Sequence, residues 1–255
     1  MALTLTPIPG IPLIYPGDDL GEIIYKKTIE SHLEPKPGDI WVIAQKIVSK
    51  SENRIINIQT IVPSARAFEI ANKTLKDPRF VELVLRESKT VLRQKPGALI
   101  VEHKNGFICA NAGIDHSNVE SSQENPEDWV LLLPEDADKS AQYIRAKLEN
   151  LFKMPFGVLI IDSHGRAWRN GTVGTSIGLS GLPAVVDLRG KPDLFGFKLK
   201  ITQVGAADEL AAAASLVMGQ ADESQPVILA SGFPYQLREG SMKELIRDEK
   251  EDLFR

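Results

Sequence analysis

Two rhythms of apolar residues run along this chain. Residues 40–44 and 158–161 are unbroken apolar runs of strand length, and residues 226–230 form a third; each reads as a buried strand. Longer stretches repeat with helical spacing instead. Asp18 or Asp19 opens a helix reaching about residue 33, with Leu20, Ile23, Ile24 and Tyr25 among its apolar positions. Ser64 opens a second helix. Asp77 followed by Pro78 is a cap and first-turn pair for a third, predicted to run to about residue 94 before Pro96 and Gly97 stop it. Asp136 or Asp138 starts a fourth, with Ala141, Ile144, Leu148 and Leu151 on one stripe. An alanine-rich helix over 207–218 ends at Gly219.

Between these lie shorter signals. Residues 98–102 and 107–110 predict a hairpin around Lys104, Asn105 and Gly106. Residues 184–186 form a weaker strand candidate, and 197–204 alternate in character. The first sixteen residues are stiffened by Pro7, Pro9, Pro12 and Pro16, while the charged tail over 240–255 reads as a surface helix. Strands and helices do not alternate strictly. The expected class is therefore α+β, with mixed, largely antiparallel sheets and flanking helices, in one unit over 1–255 with room for two lobes.

Composition narrows the class. With 255 residues and 43% hydrophobic content, the chain can bury a sizeable core. No apolar run has the length of a membrane span, and the N-terminus lacks the pattern of a secretory signal. One cysteine, Cys109, excludes an intramolecular disulfide framework and points to a reducing cytoplasm. Thirty basic against 34 acidic residues give a net charge of -4, so nucleic acid is not an expected partner, nor is a membrane.

Candidate chemistry concentrates in four segments. Residues 162–171 hold Asp162, Ser163, His164, Arg166 and Arg169 directly after an apolar strand. A carboxylate beside a hydroxyl suits Mg²⁺ or Mn²⁺, and paired arginines suit phosphate; a capped turn with surface arginines is the plainer reading. Residues 111–118 offer Asp115 and Asn118 among small residues, otherwise an ordinary Asx-rich loop. Gln45, Lys46 and Lys50 follow the strand over 40–44, where a lysine can meet phosphate or merely blunt a strand edge. Residues 218–223 place amide and carboxylate oxygens at a helix end. There is no P-loop, GxGxxG, HExxH or GxSxG motif.

Taken together these segments resemble the GTP-dependent glutamyl ligases that act on the deazaflavin coenzyme F420. The resemblance includes Ile11, Pro12, Leu13 and Ile14, then 45–50, 110–118, 157–171, 187–190, 193–196, 207–211 and 218–221. It implies an enzyme adding L-glutamate through its amine to a deazaflavin phosphodiester acid, with γ-glutamyl tail extension in some members. Matching positions imply metal ligation by Asp115, Asp162, Ser163 and Gln220, with Mg²⁺ or Mn²⁺ at two sites and K⁺ as a stimulating ion. They imply GTP contacts from the 11–14 segment, Gln45, Lys46, Lys50 and Asn118. Gly219, Gln220, Ala221, Asp222, Glu223 and Ser224 complete that set.

The resemblance further implies a homodimer. Asp115, Asp162 and Arg166 are the expected catalytic residues, stabilising charge as a substrate carboxylate becomes an acyl phosphate and then an amide. Two positions depart from the family pattern. Ala167 replaces a proline, and Phe197 with Lys198 stands where an arginine commonly follows Gly196. Both departures bear on the acceptor. A ligase for a different acid and a non-catalytic nucleotide- or deazaflavin-binding protein are the competing classes.

Overall fold

In the computed structural model, which describes residues 2–117 and 125–253, the three unbroken apolar runs become strands with the first run between the other two. The chain begins with β1 (Thr4–Pro7), a proline-punctuated track, and α1 (Leu20–Glu30). Asp19 caps α1 by accepting the Glu22 N–H at 3.1 Å, while Asp18 accepts that of Tyr15. Then come β2 (Ile40–Ala44), α2 (Gln45–Ser51) and β3 (Ile55–Asn57). Ser64 caps α3 (Ala65–Thr74), and Asp77 with Pro78 starts α4 (Pro78–Arg86). They are followed by β4 (Ser88–Lys95), β5 (Ala98–His103), β6 (Ile108–Ala110) and β7 (Trp129–Leu131).

Asp136 caps α5 (Ala137–Phe152), and Asp138 instead accepts the Leu179 N–H at 2.8 Å. Next are β8 (Gly157–Arg166), β9 (Arg169–Ser180), β10 (Val186–Asp187) and β11 (Gln203–Val204). The chain closes with α6 (Ala206–Met218) and β12 (Val227–Ser231).

Five strands form the main sheet in the order β1-β12-β2-β8-β9. Only β2 and β8 run parallel among the described residues; every other pairing is antiparallel. Side chains alternate across it. Trp41, Ile43, Val158 and Ile160 pack with Ile144 and Leu148 of α5 and Ile24 of α1. Ile40, Val42, Leu159 and Ile161 pack on the other face with Leu210, Ala211 and Ala214 of α6. Burial on both faces explains why these strands carry no polar alternation. A second apolar cluster joins Phe80, Val81 and Val84 of α4, Ile70 of α3 and Leu99 and Val101 of β5, over the sheet β4-β5-β6. The α+β architecture with mixed, largely antiparallel sheets follows the sequence pattern.

Several local expectations are corrected. The helix from Pro78 stops at Arg86, and the rest of the stretch to 94 is strand β4. Thr90 and Val91 are β-branched and favour the edge that β5 leaves open. Gln45 to Lys50 follow the end of β2 as expected, but they form helix α2 rather than a blunted strand edge. Residues 162–171 do not simply follow the apolar strand as a capped turn, since β8 itself runs on to Arg166 and turns tightly into β9. Of 197–204, only Gln203 and Val204 pair as a strand, and of 184–186 only Val186 does. The tail after 240 forms two short 3₁₀ turns rather than a helix; its charged residues lack a continuous apolar stripe.

Gly174 on β9 allows α6 to approach. A Cβ there would lie 2.5 Å from the Ala211 carbonyl oxygen and 2.5 Å from the Ser215 Cβ. Gly174→Ala is expected to destabilise the fold by about 1–3 kcal/mol, as overpacking does. Urea denaturation with an unchanged m-value would register it.

Candidate active site

The register of the main sheet brings four separate segments to one edge. Pro7 pairs with Ile228, Val227 with Ile43, and Ala44 with Ile161. The 8–14 track therefore leaves β1, α2 leaves β2, Asp162 and Ser163 follow Ile161 on β8, and 219–226 enters β12 at that same edge. Two backbone bonds tie these exits, Ile8 N–H to Val227 O at 2.9 Å and Ala44 N–H to Pro226 O at 2.8 Å. The carboxyl end of β2 lies here, with the point where β8 leaves its parallel pairing at Ile161, and such ends of parallel strands are where open α/β sheets commonly bind ligands.

Asp115 reaches the site from the loop after β6, held by backbone bonds with Leu131 at 2.8 and 3.1 Å. Its Oδ2 lies 2.7 Å from Lys46 Nζ, near the start of α2. Ser117 donates its N–H to Oδ1 at 2.8 Å and its hydroxyl to Oδ2 at 2.9 Å. Lys46 also bonds the Ser117 hydroxyl and carbonyl. Burial opposes ionisation of Asp115, but Lys46 and these two bonds outweigh it and hold the carboxyl below its ordinary range. Beside Lys46, Gln45 is 2% exposed and accepts the Ser49 hydroxyl at 2.9 Å, which fixes its amide. Lys50 sits in the last turn of α2. Asn118 lies outside the described residues.

The β8/β9 hairpin divides its polar residues between two faces. Asp162 and His164 share one, with Asp162 Oδ2 3.0 Å from His164 Nε2. The His164 ring sits 5.5 Å from Phe107, which stacks on His103 at 4.9 Å. Cys109 lies in this core, and burial together with Asp162 pushes its thiol up to about 12, so it stays protonated and unreactive. On the other face Ser163 donates to Gln220 Oε1 at 2.8 Å, and Gln220 donates to the Ser215 hydroxyl at 3.0 Å. Gly219 ends α6 with φ 76° and ψ -177°, a conformation that glycine alone adopts freely. Glu223 then folds back to accept the Ala221 N–H at 2.8 Å, and the Ser224 hydroxyl donates to the Asp222 carbonyl at 3.2 Å.

The remaining predicted residues are more dispersed. Arg166 bonds the Asn170 carbonyl at the hairpin tip beside Trp168, which is 83% exposed. Four strand steps, roughly 13 Å, separate it from Asp162. In the 11–14 segment Ile14 is buried, Ile11 packs on the core, and Leu13 is exposed.

No group of three or more His, Cys, Asp or Glu side chains is placed to hold an ion among the described residues. The donors fit Mg²⁺ or Mn²⁺ in another way. Asp115 and Asp162 are two carboxylates, and Ser163 and Gln220 already share a hydroxyl and an amide oxygen. Magnesium typically takes one or two protein carboxylates and completes its shell with water and substrate phosphate.

His103 is buried and serves the core. Burial pushes it down to about 4, so it is neutral at pH 7. The Asn105 N–H donates to its Nδ1 at 3.0 Å, which leaves the ring proton on Nε2. The unfolded chain binds that proton near pH 6.5 and the folded one only near 4. Stability should therefore fall by roughly 1 kcal/mol per pH unit between those values as pH decreases. Denaturation at pH 7 and 5 should show less of this loss in His103→Gln.

Sequence comparison adds relatives to this geometry. The family model described as F420-0:Gamma-glutamyl ligase matches residues 10–232. A protein of Methanothermobacter thermautotrophicus named coenzyme F420:L-glutamate ligase is 43% identical over 257 residues, covering 100% of both chains. Proteins of the same name from Methanopyrus kandleri and Archaeoglobus fulgidus are 43% and 41% identical. The first match covers 99% of this chain and 98% of the relative, the second 100% and 97%.

Proposed function

This chain belongs to the family of F420-0:gamma-glutamyl ligases, and on that premise we propose that it joins L-glutamate to coenzyme F420-0 in a GTP-dependent reaction. The observation that carries this reading is the meeting of four sequence segments at one sheet edge, where Lys46, Asp115, Asp162, Ser163 and Gln220 lie. A chain without a P-loop has to assemble its phosphate contacts from such separate pieces.

In this account an oxygen of the acceptor carboxylate attacks the γ-phosphorus of GTP. The bond to the β–γ bridging oxygen breaks and GDP leaves, giving an acyl phosphate. The glutamate amine nitrogen then attacks the acyl carbon, phosphate departs, and the amine proton passes to solvent. Bound Mg²⁺ or Mn²⁺ supplies charge neutralisation for the phosphoryl oxygens. Asp115 and Asp162 would hold one ion, and Ser163 and Gln220 a second. Lys46 holds Asp115 ionised and lies within reach of a phosphate brought to that edge; Lys50 adds positive charge further along α2, and Arg166 does so from the more distant hairpin tip. Gln45, the 11–14 track and residues 219–224 frame the nucleotide, with K⁺ as a stimulating ion. Repeated turnover on the γ-carboxyl of the product would extend the tail.

Phosphate release tests the reading against its competitors. A ligase needs GTP, glutamate, the deazaflavin acid and metal together, whereas a binding protein saturates without turnover. A ligase for a different acid would release phosphate with that acid and stay silent with F420-0. The chain carries no helix long and apolar enough to cross a membrane among the described residues, and a cytoplasmic homodimer is the proposed working form. Light scattering at micromolar concentration should give about twice the 28.1 kDa chain mass. A value near 28.1 kDa would remove the dimer.

A further inference from the structure

Beside β9 lies a cleft of about 230 Å³, bounded by residues 106–108, the start of α6 and the C-terminal segment. His164, Thr175, Ser176, Asp208, Arg247 and Asp252 contribute polar walls. The C-terminal side is anchored, since Met242 donates its N–H to Asp138 at 3.0 Å and Arg238 pairs with Glu244 at 2.7 Å.

Two features mark the cleft as suited to a polar, cationic group. Ser176 is 1% exposed, and its hydroxyl has no hydrogen-bond partner among the described residues, a rare condition for a buried polar atom. Asp208, in the first turn of α6, accepts only the Ser176 N–H, at 2.9 Å, and makes no ion pair among the described residues. Burial pushes its carboxyl up, and the Ser176 bond and nearby His164 offset that only in part. A buried carboxylate so placed favours a cation in contact with it. Two carboxylates disfavour a nucleotide phosphate here, while Arg247 can meet a carboxylate. Asp208, Asp252 and Arg247 together line one small cleft, so a zwitterion finds a partner there for its ammonium and for its carboxylate.

We propose that this cleft receives the amino-acid co-substrate, with its ammonium held by Asp208 and the Ser176 hydroxyl and a carboxylate held by Arg247. The proposal rests on the ligase reading above and adds where the amine is recognised. Its position suits that role. His164 lines the cleft and bonds the Asp162 carboxylate, and Thr175 lines it and donates to the Asp162 carbonyl at 3.4 Å. An amine bound there sits one side chain away from the site at the sheet edge.

The test is steady-state kinetics on the full chain with glutamate and GTP varied separately. Asp208→Asn keeps an oxygen for the Ser176 N–H and removes the charge. The KM for glutamate should rise roughly 10- to 150-fold, the range of a lost charge-assisted contact, with the KM for GTP within about twofold. A glutamate KM within about twofold of the wild type, or an equal rise for both substrates, overturns the proposal. If Asp208→Asn fails to fold, Ser176→Ala decides, because it deletes a hydroxyl that bonds nothing else among the described residues. Its glutamate KM should rise about 3- to 10-fold; no change overturns the proposal. A wild type without glutamate-dependent turnover would contradict the ligase reading instead. Calorimetric titration with L-glutamate then judges the cleft alone. Binding by the wild type that Asp208→Asn loses supports it, and equal binding or none by the wild type overturns it.

Discussion

Asp162→Asn should lower kcat by about 10²- to 10³-fold while leaving the thermal unfolding transition within a few degrees, the scale of losing one pre-organised electrostatic group. Asp162 sits where β8 passes from five buried residues to polar ones, so its charge is displayed by a rigid strand but does not fill the apolar core. Its Oδ2 is bonded to His164, and asparagine can retain a single bond there while losing the negative charge. Folding should therefore survive where cation binding does not. The metal concentration giving half-maximal activity should rise together with the fall in kcat. Wild-type activity at low metal would remove Asp162 from the site.

Lys46→Met should raise the KM for GTP by roughly 10- to 150-fold, the range of one charge-assisted contact, with a smaller effect on the KM for the acceptor. Lys46 is also the partner of Asp115, so the same change releases that carboxylate from its ion pair. The lowered Asp115 carboxyl favours folding only while ionised. Its contribution is complete above the unfolded carboxyl value near 3.9 and is lost as pH falls below that. Lys46→Met should weaken this acid-side dependence. Lys50→Ala is expected to raise the GTP KM less, because Lys50 sits a full turn further along α2. An unchanged GTP dependence in both variants would place the nucleotide elsewhere.

The α+β class and the buried strands were legible because burial on both faces of the main sheet leaves an unbroken apolar run. Caps were legible too. Ser64, Asp77 and one aspartate of each candidate pair do what their spacing predicts, but choosing Asp19 over Asp18 depends on where the chain enters the helix. The site residues were found as segments rather than as a geometry. The apolar run ends at Ile161, so the sequence pattern does not display the strand alternation that sets Asp162 and His164 on one face and Ser163 on the other. Because β8 runs on to Arg166, the i, i+2 spacing of Asp162 and His164 joins them on one face. Asp208 and Ser176 had no such signal. They are 32 positions apart, and only the packing of α6 against β9, permitted by Gly174, brings them into contact.

Mass spectrometry of the deazaflavin after incubation with the protein, GTP, Mn²⁺ and L-glutamate tests the central claim most directly. The account predicts a product heavier by one glutamyl residue, or by several if the tail is extended, formed only when GTP and metal are both present. An unmodified deazaflavin under those conditions, or a glutamyl adduct formed equally well without GTP, would contradict it.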